Sequence, residues 1–169
     1  SRDLLEASLD MAKELDIPIH IHVAETKEES GIILKQYGKR PLAFLEELGY
    51  LDHTSVFAHG VELNEREIES LASSQVAIAH NPISNLKLAS GIAPIIQLQK
   101  AGVAVGIATD SVASNNNLDM FEEGRTAALL QKMKSGDASQ FPIETALKAL
   151  TIEGAKVLGM EKQIGSLEV

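Results

Sequence analysis

The chain contains no cysteine, so disulfides and thiolate metal sites are excluded. It contains no tryptophan, two tyrosines and four phenylalanines. That is too few for the aromatic platforms on which single-stranded nucleic acid stacks. Basic residues are in the minority: 15 Lys and Arg stand against 24 Asp and Glu, a net charge of -9 with the five histidines neutral. Phosphate backbones and anionic membrane surfaces select the opposite sign, so neither nucleic acid nor a membrane is an expected partner. No apolar run reaches the roughly 18 residues that span a bilayer, and the first residues do not resemble a signal peptide. A cytoplasmic setting is expected, and the lack of cysteine is compatible with a reducing compartment. There is no Walker-type glycine loop, no Gly-x-Gly-x-x-Gly after a strand and no Gly-x-Ser-x-Gly elbow.

What remains is ordinary for a globular domain: 169 residues, 44% apolar and 23% charged, enough to bury a sizeable core. Short β-branched runs alternate with helical spacing. The spacing predicts strands over Pro18–Val23, Ser55–His59, Gln75–His80 and Val103–Thr109. It predicts helices over Arg2–Leu15, Lys27–Tyr37, Pro41–Leu48, Glu65–Ser73, Ala93–Ala101, Leu118–Lys134, Ile143–Leu150 and Ile152–Leu158. Pro41 suits a first helical turn, and Asn64 with Glu67 fits a capping box. Gly102 and Gly159 fit helix stops. The alternation is that of parallel βαβ units.

Period two assigns the strand faces. Val103, Val105 and Ile107 share one face of the last strand, and Ala104, Gly106, Ala108 and Asp110 the other. In the first strand His20 and His22 point away from Ile19, Ile21 and Val23. Bulky faces toward helices and functional groups toward an interior predict a βα barrel more than an open sheet. A full barrel needs eight strands, so four strands predict half of one, an α/β partial (β/α)8 domain over residues 1–164. Residues 165–169 read as the start of a further, truncated strand. A chain that opens directly on a helical pattern and stops in a strand is expected to be a piece of a longer protein.

Ionisable residues collect where strands end: His22 and Glu25 after the first, His59 after the second, His80 and Asn81 after the third, Asp110 after the fourth. In βα barrels that rim carries the active site. Each residue also has a bland reading. His22 alone reads equally as a buried histidine satisfied by a carbonyl, Asp110 as a turn or helix cap, His80-Asn81-Pro82 as a turn. His59 reads as a hydrogen-bonding loop residue, His20 as a core histidine one layer deeper, and His53 as a surface residue. Imidazole and carboxylate together form a normal ligand set for a divalent metal, and a carboxylate beside activated water can take its proton.

Taken jointly, His22-Val-Ala-Glu25-Thr26, Ala58-His59-Gly60, His80-Asn81-Pro82-Ile-Ser84-Asn85-Leu-Lys-Leu with Gly91-Ile-Ala-Pro94, and Thr109-Asp110-Ser111-x-x-Ser114-Asn115-Asn116 resemble the amidohydrolase superfamily. The branch they look most like is that of 5-methylthioadenosine/S-adenosylhomocysteine deaminases, close to the chlorohydrolase-type enzymes, and nearly the whole chain takes part. The resemblance implies a metal-dependent hydrolase in which hydroxide adds to the amine-bearing carbon of a purine nucleoside and ammonia leaves. It implies His22 and Asp110 as ligands of a divalent metal, Zn²⁺ first, with Fe²⁺ and Mn²⁺ accepting the same set. Glu25 would protonate the ring nitrogen beside the attacked carbon, His59 would polarise the nucleophile, and Asp110 would also shuttle a proton. His80, Asn81, Ser84 and Asn85 would line the substrate pocket, with Ser84–Pro94 as a pocket loop. The family's His-x-His pair belongs to a first strand not found here, because the pair His20-Ile-His22 precedes Glu25 and so matches strand five. An isolated chain is therefore expected to be inactive and to hold metal weakly, and its open sheet edges predict a homo-oligomer. Two other readings stand beside this one: a guanine-type or triazine-type hydrolase, and a non-catalytic α/β module.

Overall fold

The structure, a computed structural model, describes residues 1–168. Four strands, β1 (Ile19–Val23), β2 (Ser55–His59), β3 (Val76–His80) and β4 (Val105–Ile107), form one parallel sheet in the order β1-β2-β3-β4. α1 (Arg2–Leu15) precedes the sheet. Every crossover is helical: α2 (Lys27–Tyr37) and α3 (Pro41–Leu48), then α4 (Glu65–Ala72), then α5 (Pro82–Lys87) and α6 (Ile95–Lys100). After β4 come α7 (Val112–Asn115), α8 (Met120–Ser135), α9 (Ile143–Leu150) and α10 (Ile152–Val157). Parallel strands with a helix between each pair, in sequence order, are four of the eight units of a (β/α)8 barrel.

Helix limits follow from local chemistry. The Thr26 hydroxyl accepts the Glu29 N–H at 3.0 Å and starts α2. Asn64 and Glu67 cap α4 reciprocally, each side chain accepting the other's backbone N–H at 2.9 Å. Pro41 opens α3, and Gly49 closes it at φ 87°.

The two faces of the sheet differ in what covers them. Val23, Phe57, Ile78, Val105 and Ile107 pack with Leu42, Leu45, Leu71, Leu98 and Ala149 from the surrounding helices. Each large side chain buried there contributes about 1.5–3 kcal/mol. The opposite face carries Val56, Ala77 and Ala79, with Ala104 and Ala108 alongside, and Val157 of α10 packs on it. α10 lies across the inward face near β4. Small residues permit this approach: a Cβ on Gly106 would lie 2.9 Å from the Gly154 Cα. An apolar cavity of about 270 Å³ remains between them, with His20, Ala79, Gly106 and Thr151 in its wall.

Three further differences from the sequence reading have local causes. β4 is three residues long rather than seven, because its ladder with β3 reaches only from Ile78–Val105 to His80–Ile107. The stretch from Ser84, read as loop, begins inside α5, which Pro82 opens. Residues 165–168 form no strand, and Val169 lies outside the described residues.

Candidate active site

At the carboxyl end of β1, His22 sits level with Ala58, Ala79 and Gly106 across the sheet. The chain then turns at Ala24, whose φ is 52°, a conformation that costs an L-residue roughly 1–2 kcal/mol. Glu29 holds that turn: its carboxylate accepts the Ala24 N–H at 3.0 Å and the Glu25 N–H at 2.6 Å. The result brings Glu25 back toward the sheet. Its Oε1 also accepts the Ser90 hydroxyl at 3.4 Å.

At the end of β2, period two would send His59 to the side of Phe57. Its φ of 75° breaks the alternation, and the ring lies against His22, with centroids 4.9 Å apart and planes at 76°. His59 is fully buried. Its Nδ1 donates to the Asn85 Oδ1 at 2.8 Å. Its Nε2 lies 3.8 Å from a Glu25 oxygen and has no hydrogen-bond partner. His22, Glu25 and His59 each offer one ligand atom, all within 4.8 Å of one another. A buried imidazole lone pair with no partner, beside a second imidazole and a carboxylate, fits a divalent cation.

At the end of β4, Asp110 has φ 62°. Its Oδ2 accepts the Ser84 hydroxyl at 2.7 Å and the Ser114 hydroxyl at 2.8 Å. Burial pushes its pKa up, but these hydrogen bonds and one from the Ser111 backbone outweigh it, and the net shift is downward. Asp110 is therefore an anion at neutral pH. It feels the His59 ring electrostatically and stands beside the three-residue cluster rather than within it.

The remaining residues singled out in the sequence lie behind these. Ser84 and Asn85 are buried on α5 and spend their hydrogen bonds on Asp110 and His59. Asn81 is buried and donates to the Ala108 carbonyl at 3.3 Å. His80 is fully buried, and neither ring nitrogen has a partner. Burial, with smaller effects from His59 and Lys134, pushes its pKa down to about 3, so it is neutral. His20, below His22, is also pushed down, by burial and then by His22 and His59. His53 is partly exposed and bonds the Ile17 carbonyl at 2.9 Å, at the other end of the sheet. Glu29 and Ser90 were not singled out. Glu29 follows Thr26 at the spacing of a capping box, which is the signal that marks it. A surface cleft of about 620 Å³ between α3 and α4 includes none of these residues.

Comparison with known proteins gives the same class. The Amidohydrolase family profile matches residues 1–169. A 5-methylthioadenosine/S-adenosylhomocysteine deaminase of Bacillus cytotoxicus is 54% identical over 168 residues, which are 99% of this chain and 38% of that protein. The crystal structure of an adenosine deaminase from Xanthomonas campestris with bound zinc superposes with a TM-score of 0.96 at 44% identity, over 100% of this chain and 38% of that one. Atrazine chlorohydrolase from Arthrobacter aurescens, complexed with zinc, gives 0.91 at 31% identity over 99% of this chain and 37% of that one. The chain belongs to the amidohydrolase family. It spans less than two-fifths of the length of these relatives.

Proposed function

We propose that the chain carries barrel strands five to eight of a metal-dependent aminohydrolase, and that the complete enzyme removes ammonia from an adenosine-type nucleoside of the 5-methylthioadenosine or S-adenosylhomocysteine kind. The observation that carries this reading is the convergence of His22, Glu25 and His59 around the buried, unpartnered His59 Nε2. The 54% identity to a deaminase of that name supports the substrate. His22 and Asp110 would hold the metal, with Zn²⁺ favoured by the zinc-containing structural relatives and Fe²⁺ or Mn²⁺ compatible with the same ligands. A bound divalent metal supplies a lowered pKa for water, so that hydroxide is available near neutrality.

The chain's own residues do the rest. Asp110, held ionised by Ser84 and Ser114, accepts the proton of the attacking water and later delivers it to the departing amine. Glu25, protonated at the start, gives its proton to the ring nitrogen next to the attacked carbon, neutralising charge as it develops, and recovers one from the added hydroxyl as the C–N bond breaks and the carbonyl forms. His59 turns its Nε2 toward the nucleophile and steadies it. Water and the amino-purine become the oxo-purine and ammonia, and the two carboxylates end as they began. His80, Asn81, Ser84 and Asn85 would back the substrate pocket. Only two of the proposed ligands lie in this chain, so the chain alone is expected to be inactive and to hold metal weakly. A cytoplasmic setting belongs to the same proposal. So does self-association: β1 and β4 are the edges of the sheet, and light scattering at micromolar concentration should show a dimer.

In the complete enzyme, Glu25→Gln and Asp110→Asn should each abolish deamination. Glu25→Gln should leave metal content intact, and Asp110→Asn should lower it. Equal metal loss in both would overturn the division of roles. The similarity to atrazine chlorohydrolase favours a second reading, a triazine-type hydrolase. A panel of adenosine-type, guanine and chlorotriazine substrates separates the two.

A further inference from the structure

We propose that Glu123 is a positioning residue of this site, a buried carboxylate clasp that sets where His59 and Asp110 are held. The proposal rests on the reading above that those two residues do the chemistry. Glu123 lies in the first turn of α8 and is fully buried. No Lys, Arg or His pairs with it among the described residues, in contrast to Glu67, whose burial Arg40 offsets. A buried carboxylate without a cation is costly. Burial pushes its pKa up, and two hydrogen bonds oppose that.

Those two bonds connect it to both halves of the site's support. Glu123 Oε2 accepts the Ile83 N–H at 3.2 Å. Ile83 is followed directly by Ser84, which donates to Asp110, and Asn85, which accepts from His59. Glu123 Oε1 accepts from the Asn115 side-chain amide. That amide also donates to the Thr109 carbonyl at 2.6 Å, and the preceding Ser114 donates to Asp110. One carboxylate thus ties α5 to the end of α7, and each segment reaches a working residue through its next neighbour. Both partners are donors, so the clasp needs two acceptor oxygens. Glutamine has one, and its amide would face a donor.

The test uses the chain itself, metal-free, with the ¹⁵N resonances of the His59 ring as readout. In the parent chain Nδ1 carries the proton toward Asn85. In Glu123→Gln, with circular dichroism unchanged, the two His59 nitrogen shifts should move toward a tautomer mixture, together with the Ser84 and Asn85 amides. Val103→Ala, two residues before β4 begins, removes buried packing and should leave the His59 signals in place. Unchanged His59 signals in Glu123→Gln, or equal movement in Val103→Ala, would overturn the proposal. Should Glu123→Gln fail to fold, Asn115→Ala cuts one arm of the clasp and decides it: movement of the Asp110 and Ser84 resonances supports the clasp, and none refutes it. In the complete enzyme Glu123→Gln should lower kcat at least tenfold with KM within about twofold. Because the ring signals do not depend on substrate, a complete enzyme that fails to deaminate nucleosides sinks the functional reading and leaves the clasp standing.

Discussion

His59 donates from Nδ1 to the side-chain oxygen of Asn85, 26 residues further on, at 2.8 Å. With the proton fixed on that nitrogen, the lone pair sits on Nε2, the atom that looks toward His22 and Glu25. The hydrogen bond therefore selects the tautomer that can receive a ligand or a hydrogen bond on the side where chemistry would occur.

Replacing Asn85 with Ala should release that choice. Loss of an outer partner of this kind typically costs 10–100-fold in activity, and that range is expected for turnover of the complete enzyme. Steady-state kinetics check it.

Glu29→Ala should act on Glu25 without touching it. Two N–H groups of the left-handed turn lose their acceptor, which should cost about 1–3 kcal/mol of stability. The carboxylate of Glu25 loses its fixed approach. Chemical denaturation gives the first effect, and turnover in the complete enzyme the second, where kcat should fall further than KM rises.

Acid should unfold the chain through His80. Its folded pKa of about 3 lies below the ordinary 6.5, so the neutral ring is the one the fold accepts. The stability it contributes is complete above pH 6.5 and is lost as pH falls from there toward 3, at up to about 1.4 kcal/mol per unit. Smaller effects from His59 and Lys134 push in the same direction. His80→Leu should flatten the stability profile across that window, as denaturation at a series of pH values would show.

Arg40 reaches Glu67 with two bonds, 2.9 Å to Oε1 and 3.0 Å to Oε2, and also donates to the Glu62 carbonyl. Glu67 is buried while Arg40 keeps partial contact with solvent. Arg40→Ala leaves the carboxylate stranded and should cost about 1–3 kcal/mol, less than a fully buried pair. Arg40→Lys should recover only part of it, since an ammonium cannot make the fork. Thermal melts of the three proteins test the order.

Gly106→Ala should be unusually damaging for one added methyl. The obstacle is the backbone of Gly154, 2.9 Å from where that methyl would sit, with Val157 Cγ2 at 3.3 Å. A shift of α10 is the only relief, and a loss of about 1–3 kcal/mol is expected, read from denaturant midpoints.

Much of this architecture is written locally. α1, α2, α3 and α9 end where the sequence places their ends; for α2 and α3 the cause is that Gly38, Pro41 and Gly49 stand at the boundaries. The pattern overstates β4, because Val103–Thr109 alternates along seven residues but meets a partner ladder along only three. α5 and α7 are six and four residues long, too short for any period to show. In the candidate site, His22, Glu25, His59 and Asp110 are legible because each lies at or just past the end of a strand. The supporting bonds were not, because Asn85 to His59, Glu123 to Ile83 and Ser84 to Asp110 span 26, 40 and 26 residues. His80 shares its face of β3 with Val76 and Ile78, which pack in the main core on the helix side.

Ala24, His59 and Asp110 all leave their strands through the left-handed region. Each kink stores on the order of 1–2 kcal/mol, held down by the bonds around it. The rim can relax by releasing those bonds while the β-ladder beneath stays intact, so its opening is cheaper than global unfolding. Amide hydrogens just past the kinks, at Gly60 and Glu62, bonded to the Val23 and Ala24 carbonyls, should therefore exchange with deuterium well before those of Phe57 and Ile78. The rim that carries the candidate site and the sheet beneath it would be two separate cooperative units, with a bound ligand slowing exchange in the first and leaving the second unchanged.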